Sequence, residues 1–458
     1  MLTRRSAVIG LAATAAPTAV LAQTADDAKQ VEDALLALVF GSSVDIPPAL
    51  AFLTGRGKLD VVSGLIFALR FSRYDSTAFL VALSDLTGEV GLKSWPDWML
   101  WQEANPEVKS HPAFYVVKRT FLLEKEPDWR PFLSPEYIAD GAMDIRFEEV
   151  AWGGVHRDSI PSLDFPDLIS ADQAAYLRDD DLVFGVEING DIRAYPLRIM
   201  GWHEMFNEVI GGVPVALAYC TLCGAGILFE TTVEGRDEPF IMSTSGFLYR
   251  SNKLMYDRQT ESMWNQFTGK PVSGALRGSG IELKQRPVTI EPWGAWKTRN
   301  PGTKVLSVST GYDRDYGSGV VYKSYFASPD LMFPTIVNQT RLHQKDYVFG
   351  VRQFGAAKAW SLAAFEGGKV LNDQIAARPL VLIGDAAGRT VRAYERGDIE
   401  FEKGPDATTL IGGGQTWRVT EAGLIPDSGA TLPRVAGHIA YWFAWDGYLG
   451  PQSELVEG

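Results

Sequence analysis

The chain is short of sulfur and imidazole, with two cysteines and five histidines in 458 residues. So few cysteines exclude a scaffold held by several disulfides and leave room for at most one sulfur-containing metal site. Positive charge is scarce too: 43 Lys and Arg stand against 56 Asp and Glu, a formal charge of -13. That balance offers no basic face to a nucleic-acid backbone or an anionic membrane, so no nucleic acid is expected as a partner. Long apolar runs are missing. The longest candidate, Val215 to Phe229, is too short for a span and is broken by a Gly-rich turn, so no membrane span is expected in the mature chain. Phosphate loops, dinucleotide fingerprints and nucleophile elbows are absent as well, since Gly412-Gly413-Gly414 lacks the Lys and the strand-helix setting such loops need. With 46% hydrophobic and 22% charged residues, what remains is a globular chain of one to three domains.

The N-terminus carries an address. Thr3-Arg4-Arg5-Ser6-Ala7-Val8-Ile9 leads into a weakly apolar Ala/Gly/Leu/Thr stretch that ends in Val20-Leu21-Ala22. A charged start, a short apolar region and small residues before a cleavage point are the three parts of an export signal. An Arg pair heading a weakly hydrophobic segment resembles a twin-arginine signal, so residues 1–22 are read as a signal peptide and the mature protein as periplasmic.

Residues 27–150 read as a small all-helical domain. Val31, Leu35, Leu36, Leu38 and Val39 recur at helical spacing, as do Val61, Val62, Leu65, Ile66 and Leu69. Its tryptophans, Trp95, Trp98, Trp101 and Trp129, are expected to pack helices rather than to line a ligand surface. From Trp152 the pattern changes to short strand-like runs separated by Gly, Asp and Pro.

Sliding the chain by 165 residues without a gap aligns Val183–Leu217 with Val348–Leu382 and gives eleven identities over 35 positions, among them Gly185/Gly350, Gly190/Gly355, Asn207/Asn372 and Pro214/Pro379. About two are expected by chance from average composition, so the alignment reads as an internal duplication. Trp293-Gly-Ala-Trp296 is echoed by Trp442-Phe-Ala-Trp445. The expected architecture is α+β, an internally duplicated domain pair preceded by the helical domain: a first copy over 152–310, a linker over 311–344 and a second copy over 345–458. Within each copy two strands around a tight turn at Gly190 or Gly355 precede, in the first copy, a helix over Trp202 to Val209.

Both cysteines fall in one stretch, Tyr219-Cys220-Thr221-Leu222-Cys223-Gly224. Two cysteines placed at random in such a chain fall three apart about once in 230 arrangements, so the pair has a reason, either a metal or a redox couple, with a static disulfide as the plain alternative in an oxidising compartment. A thioredoxin-like couple needs a helix after the motif to lower the thiol pKa. Here the strand-like Ile227-Leu228-Phe229 follows a Gly-rich turn, which suits a turn whose backbone N–H groups face two thiolates. His203 precedes Cys220 on the neighbouring helix and is the third candidate donor. In the second copy His203, Cys220 and Cys223 align with Gly368, Asp385 and Gly388, so the candidate site belongs to the first copy alone.

Ala194-Tyr195-Pro196-Leu197, Trp202-His203-Glu204, Gly211-Gly212-Val213-Pro214-Val215, the Cys220 motif and Met255-Tyr256-Asp257-Arg258, with Gln266-Phe267-Thr268-Gly269 and Arg314-Asp315-Tyr316-Gly317, resemble the bacterial domain-of-unknown-function family 3179. The resemblance runs from about Trp152 to the C-terminus and leaves the helical domain outside. It implies fold and boundaries and supplies no activity. The family usually has Pro where this chain has Thr221, between the two cysteines.

Two thiolates with an imidazole suit copper or zinc, and a thioether favours Cu(I). Met255 is the preferred fourth donor, with Met205, Met242 and Met263 as competitors, and Glu204 with Asp257-Arg258 is expected as an ion pair beside the site. Three readings stand: an exported protein that binds copper, or zinc, at His203, Cys220, Cys223 and Met255 for redox chemistry or metal handling; a thiol-disulfide oxidoreductase using the same cysteine pair; and a non-catalytic binding module for a periplasmic protein partner.

Overall fold

The computed structural model describes residues 16–458. The expected export segment over residues 1–22 falls largely outside the described residues. A helical region precedes a sheet-rich region of strands and short helices, an α+β chain that divides into two compact units. No helix among the described residues is long and apolar enough to cross a membrane.

The first unit takes in residues 16–98 and 105–125. Its helices are α1 (Ala16–Phe40), α2 (Ile46–Gly55), α3 (Val62–Phe71), α4 (Ser76–Thr87), the first turn of α5 (Trp95–Ala104) and α6 (Pro112–Lys125). Val31, Leu35 and Leu38 put one buried stripe on α1, at the spacing a core-facing helix requires. Asp75 caps α4 by accepting the Thr77 N–H at 3.0 Å, and Gly88, at φ +77°, ends it in the left-handed conformation.

The second unit takes in 99–104 and 126–458. Its principal elements, in order, are β1 (Leu182–Ile188), β2 (Asp191–Pro196), α7 (Leu197–His203), β3 (Met205–Ile210), β4 (Val213–Cys220), β5 (Ala225–Glu230), β6 (Met242–Tyr249), β7 (Asn252–Asp257), β8 (Thr289–Pro292), α8 (Trp293–Arg299) and β9 (Lys304–Leu306). These are followed by β10 (Tyr347–Gln353), β11 (Ala356–Ser361), β12 (Lys369–Ile375), β13 (Arg378–Asp385), β14 (Thr390–Glu395), β15 (His438–Tyr441), α9 (Trp442–Leu449) and β16 (Ser453–Val456). One sheet runs β8-β1-β2-β9 with Leu168–Ser170 at its edge, and another runs β15-β10-β11-β16. In both the last pairing, β2 with β9 and β11 with β16, is parallel and the others are antiparallel. The β3-β4-β5 meander pairs in order, as does β12-β13-β14.

A glycine in each sheet explains a repeated tryptophan. A Cβ on Gly185 would lie 2.1 Å from the Trp296 ring of α8, and one on Gly350 2.0 Å from the Trp445 ring of α9. Each indole is held at its N–H, Trp296 by Thr303 Oγ1 at 3.0 Å and Trp445 by Ser453 Oγ at 2.7 Å. A buried ion network ties β8 to the later strands. Arg392 reaches Glu291 at 2.7 Å and Glu421 at 2.6 Å, and Arg434 reaches Glu421 at 2.7 Å.

The expected helix over Trp202 to Val209 is corrected. The helix is α7 and stops at His203, and Met205–Ile210 is strand β3, paired with β4 from Met205↔Ala218 to Ile210↔Val213. Glu204 breaks the helix by turning to φ +58° while its N–H still bonds Met200 O at 2.7 Å. The next residues bury both faces of a central strand, a pattern without helical period.

Candidate functional site

The cysteines sit in the tight turn between two strands. Cys220 ends β4, opposite Ala225 at the start of β5, and Thr221, Leu222, Cys223 and Gly224 close the loop with Gly224 at φ +60°. This geometry brings the sulfurs together as a Cys220–Cys223 disulfide. Inside the turn the Cys223 N–H points at Cys220 Sγ, 3.3 Å away, so the sulfur of Cys220 has a backbone donor of its own. No helix follows the motif, and the β5 strand begins at Ala225.

The turn is held from several sides. Tyr325 O–H donates to Leu222 O at 2.7 Å, and the Tyr441 N–H donates to Cys223 O at 2.8 Å. The stacked rings of Tyr347 and Tyr441, 4.5 Å apart at their centroids, lie against Gly224. Cys220 is 2% exposed and Cys223 is fully buried. Cys220, Thr221 and Leu222 line a small cleft of about 60 Å³ together with Glu204, Lys253 and Tyr322.

Glu204 and Lys253 form a buried ion pair at 3.0 Å in the wall of that cleft. Glu204 also accepts from Thr221 Oγ1 at 2.8 Å and from Tyr322 O–H at 3.4 Å. Burial pulls the Lys253 pKa down, and the Glu204 carboxylate works against it. The left-handed backbone at Glu204 costs on the order of 1–3 kcal/mol for a residue with a Cβ. In this place it ends α7 and turns a carboxylate toward Thr221, the first of the two residues between the cysteines. The expected pairing of Glu204 with Arg258 is corrected: Arg258 pairs with Asp164 at 2.5 Å, and Asp257 accepts from Trp264 Nε1 at 2.9 Å.

His203 is fully buried at the end of α7. Its Nδ1 lies 2.9 Å from Pro161 O and its Nε2 2.6 Å from Tyr316 Oη. A carbonyl only accepts, so Nδ1 carries the proton and Nε2 accepts from Tyr316. Burial lowers the His203 pKa and keeps the ring neutral, against the raising effect of the Pro161 bond. The cleft at Cys220 is not lined by His203. Met255 is buried in the middle of β7, opposite Trp264 on one side and Thr244 on the other. Met205, Met242 and Met263 are likewise buried, on β3, β6 and the strand Met263–Asn265. Among the described residues no group of three or more His, Cys, Asp and Glu side chains is arranged to hold a metal ion.

A family model described as "Protein of unknown function (DUF3179)" matches residues 157–453. The chain belongs to that family. The match covers the disulfide turn, the Glu204–Lys253 pair and the tyrosines that reach them, Tyr322, Tyr325, Tyr347 and Tyr441, and leaves out the helical unit. No curated protein and no solved structure matches the chain.

The site includes residues that the spacing of cysteine and histidine did not reveal. Lys253 lies far along the chain from Cys220, and Tyr316, Tyr322 and Tyr325 come from the 311–344 segment expected as a linker. One of them was within reach of a signal: Tyr316 stands in the Arg314-Asp315-Tyr316-Gly317 motif.

Proposed function

We propose that this is an exported protein whose Cys220–Cys223 turn performs reversible thiol-disulfide chemistry. The observation that carries the reading is that Cys220 lines a cleft whose wall also holds the buried Glu204–Lys253 pair. A substrate dithiol is the reductant. Its thiolate attacks Cys220 Sγ, the Cys220–Cys223 bond breaks, and the electron pair leaves on Cys223 Sγ, which takes a proton. The second substrate thiolate then attacks its own half of the mixed disulfide and expels Cys220 as a thiolate, to which the Cys223 N–H is already directed. Two electrons and one proton pass to the protein, which then holds a Cys220 thiolate and a Cys223 thiol; the substrate's other proton goes to solvent, and the substrate leaves as a disulfide. Lys253, with its pKa lowered by burial, has the chemistry to move a proton at the cleft.

Trapping tests the scheme. Cys223→Ser is expected to capture oxidised glutathione as a stable mixed disulfide at Cys220, read by intact mass, whereas Cys220→Ser leaves only the fully buried Cys223 and reacts far more slowly. Equal rates in the two variants, or no adduct in either, would sink it.

A second reading is copper or zinc on the reduced pair. It is favoured by the Nδ1–H of His203 donating to Pro161 O, which fixes the tautomer whose Nε2 lone pair is the donor. Tyr316 now takes that lone pair, so metal binding requires the Tyr316 bond to open and the disulfide to be reduced. Met255 remains the proposed fourth donor. Metal content of reduced wild type against Cys220→Ser separates the readings, since undiminished metal in the variant removes this one.

We also infer that Leu182 to Leu306 and Tyr347 to Leu455 are copies of one unit. Support comes from the shared four-strand order with its one parallel pairing, and from the glycine-tryptophan contact in each. Residues 152–310 and 345–458 are proposed as the corresponding domains, with the signal peptide over 1–22 and the mature chain in the periplasm.

A further inference from the structure

The sequence shift of 165 residues places Gly368, Asp385 and Gly388 where His203, Cys220 and Cys223 stand. Those three residues line a cavity of about 640 Å³, against about 60 Å³ at the cleft beside Cys220. A Cβ at Gly368 would meet nothing nearer than 4.0 Å, so that glycine faces open space, and the cavity has room for a small organic molecule.

The cavity is equipped for an anion. Arg299, the last residue of α8, lines it with Nε and Nη1 buried and without a hydrogen-bond partner, and its Nη2 lies 3.6 Å from Glu291. Those two N–H groups are closed off from water in this arrangement, so an acceptor in the cavity reaches them only by a swing of the partly exposed side chain, a movement favoured by the cost of leaving them unpaired. Arg392 also lines the cavity, but Glu291 and Glu421 already satisfy it. Lys369 and Lys403 add positive charge. Against them stand Asp385, which accepts from the Ala387 N–H at 3.2 Å, and Asp406, which accepts from Thr408 Oγ1 at 2.7 Å. Setting aside the satisfied Arg392 and Glu291, three cations face two carboxylates. That small positive excess suits a singly charged head, and the two carboxylates repel a doubly charged phosphate. Val370, Ile383 and Leu410 supply an apolar wall for the rest of the molecule.

We propose that this cavity binds a small organic carboxylate, its head group on Arg299 and its body against the β12–β13 wall. The site is independent of the chemistry at Cys220.

The test is titration of the full chain with benzoate and hexanoate, and with neutral benzamide, by calorimetry and thermal unfolding. At least one carboxylate is expected to bind saturably and to raise Tm by about 2 °C at roughly ten times its Kd. Arg299→Gln should weaken binding about tenfold or more, as loss of a hydrogen bond to a charged group does, and Lys369→Ala should weaken it less. If Arg299→Gln fails to fold, amide exchange of the wild type decides: slowing by the carboxylate at 369–370 and 383–392 supports the site. The proposal is overturned by the absence of binding by both acids, by equal binding of benzamide, by unchanged affinity in a folded Arg299→Gln, or by unchanged exchange in those segments.

Discussion

His438 packs its ring against Phe267 and Trp445, with Nδ1 3.1 Å from the Gln285 amide and Nε2 buried without a partner. Burial, with Arg352 nearby, pulls its pKa down to about 3. The unfolded chain binds a proton there near pH 6.5 and the folded chain does not, so stability is full above that pH and falls as the pH is lowered toward 3. The expected loss is about 1.4 kcal/mol for each pH unit below about 6.5. His203, whose pKa burial also lowers, pushes the same way. Urea unfolding at about pH 7 and about pH 4 measures the slope, and His438→Gln should flatten it by about one proton's worth. A slope unchanged in that variant would assign the acid sensitivity elsewhere. Glu421 acts lower on the scale. Burial alone would raise its pKa, but Arg392 and Arg434 outweigh that and hold it at about 2, so its share of stability is lost only as the pH falls below about 4.

Among the elements, β1 with α8 and β10 with α9 repeat one device, an indole seated on a strand glycine. Gly185→Ala and Gly350→Ala each force a methyl into a fully buried Trp ring. Both should cost about 1–3 kcal/mol or more in urea unfolding, through displaced packing rather than backbone conformation. A cost under about 0.5 kcal/mol in either would show that the ring moves freely. This device was legible in the sequence as paired glycines and an echoed Trp-x-x-Trp spacing, because rigid contacts leave matching residues in both places. The tight turns at Gly190 and Gly355, at φ +83° and +74°, were legible for a similar reason, since only a few residue types tolerate that backbone. The boundary of α7 was not. Trp202 to Val209 reads as helix when taken alone, and the switch to β3 depends on Glu204 adopting a strained conformation and on β4 pairing alongside. The cysteine pair announced the site by its spacing, but Lys253, Tyr322 and Tyr325 reach it through tertiary folding, and single charged or phenolic residues carry no periodic mark.

For the molecule as a whole, the proposed cysteine chemistry and the proposed N-terminal signal make one joint demand. A disulfide of this kind persists where the surroundings oxidise thiols, and the Arg4-Arg5 signal would deliver the chain to such a place. Replacing both arginines by lysine should leave the precursor in the cytoplasm, whereas the unaltered chain should appear outside it with an N-terminus at Gln23. Fractionation with N-terminal sequencing reads both outcomes. Release of the doubly substituted chain at the normal rate would remove the twin-arginine reading.

The bond from the Tyr441 N–H to Cys223 O also sets an order of assembly. The disulfide turn is synthesised well before one of its backbone anchors, since Tyr441 follows Cys223 by more than 200 residues. Such a contact has a long sequence separation, and its loop must close before it contributes anything. A chain cut short before residue 441 would therefore carry both cysteines in a turn lacking that anchor.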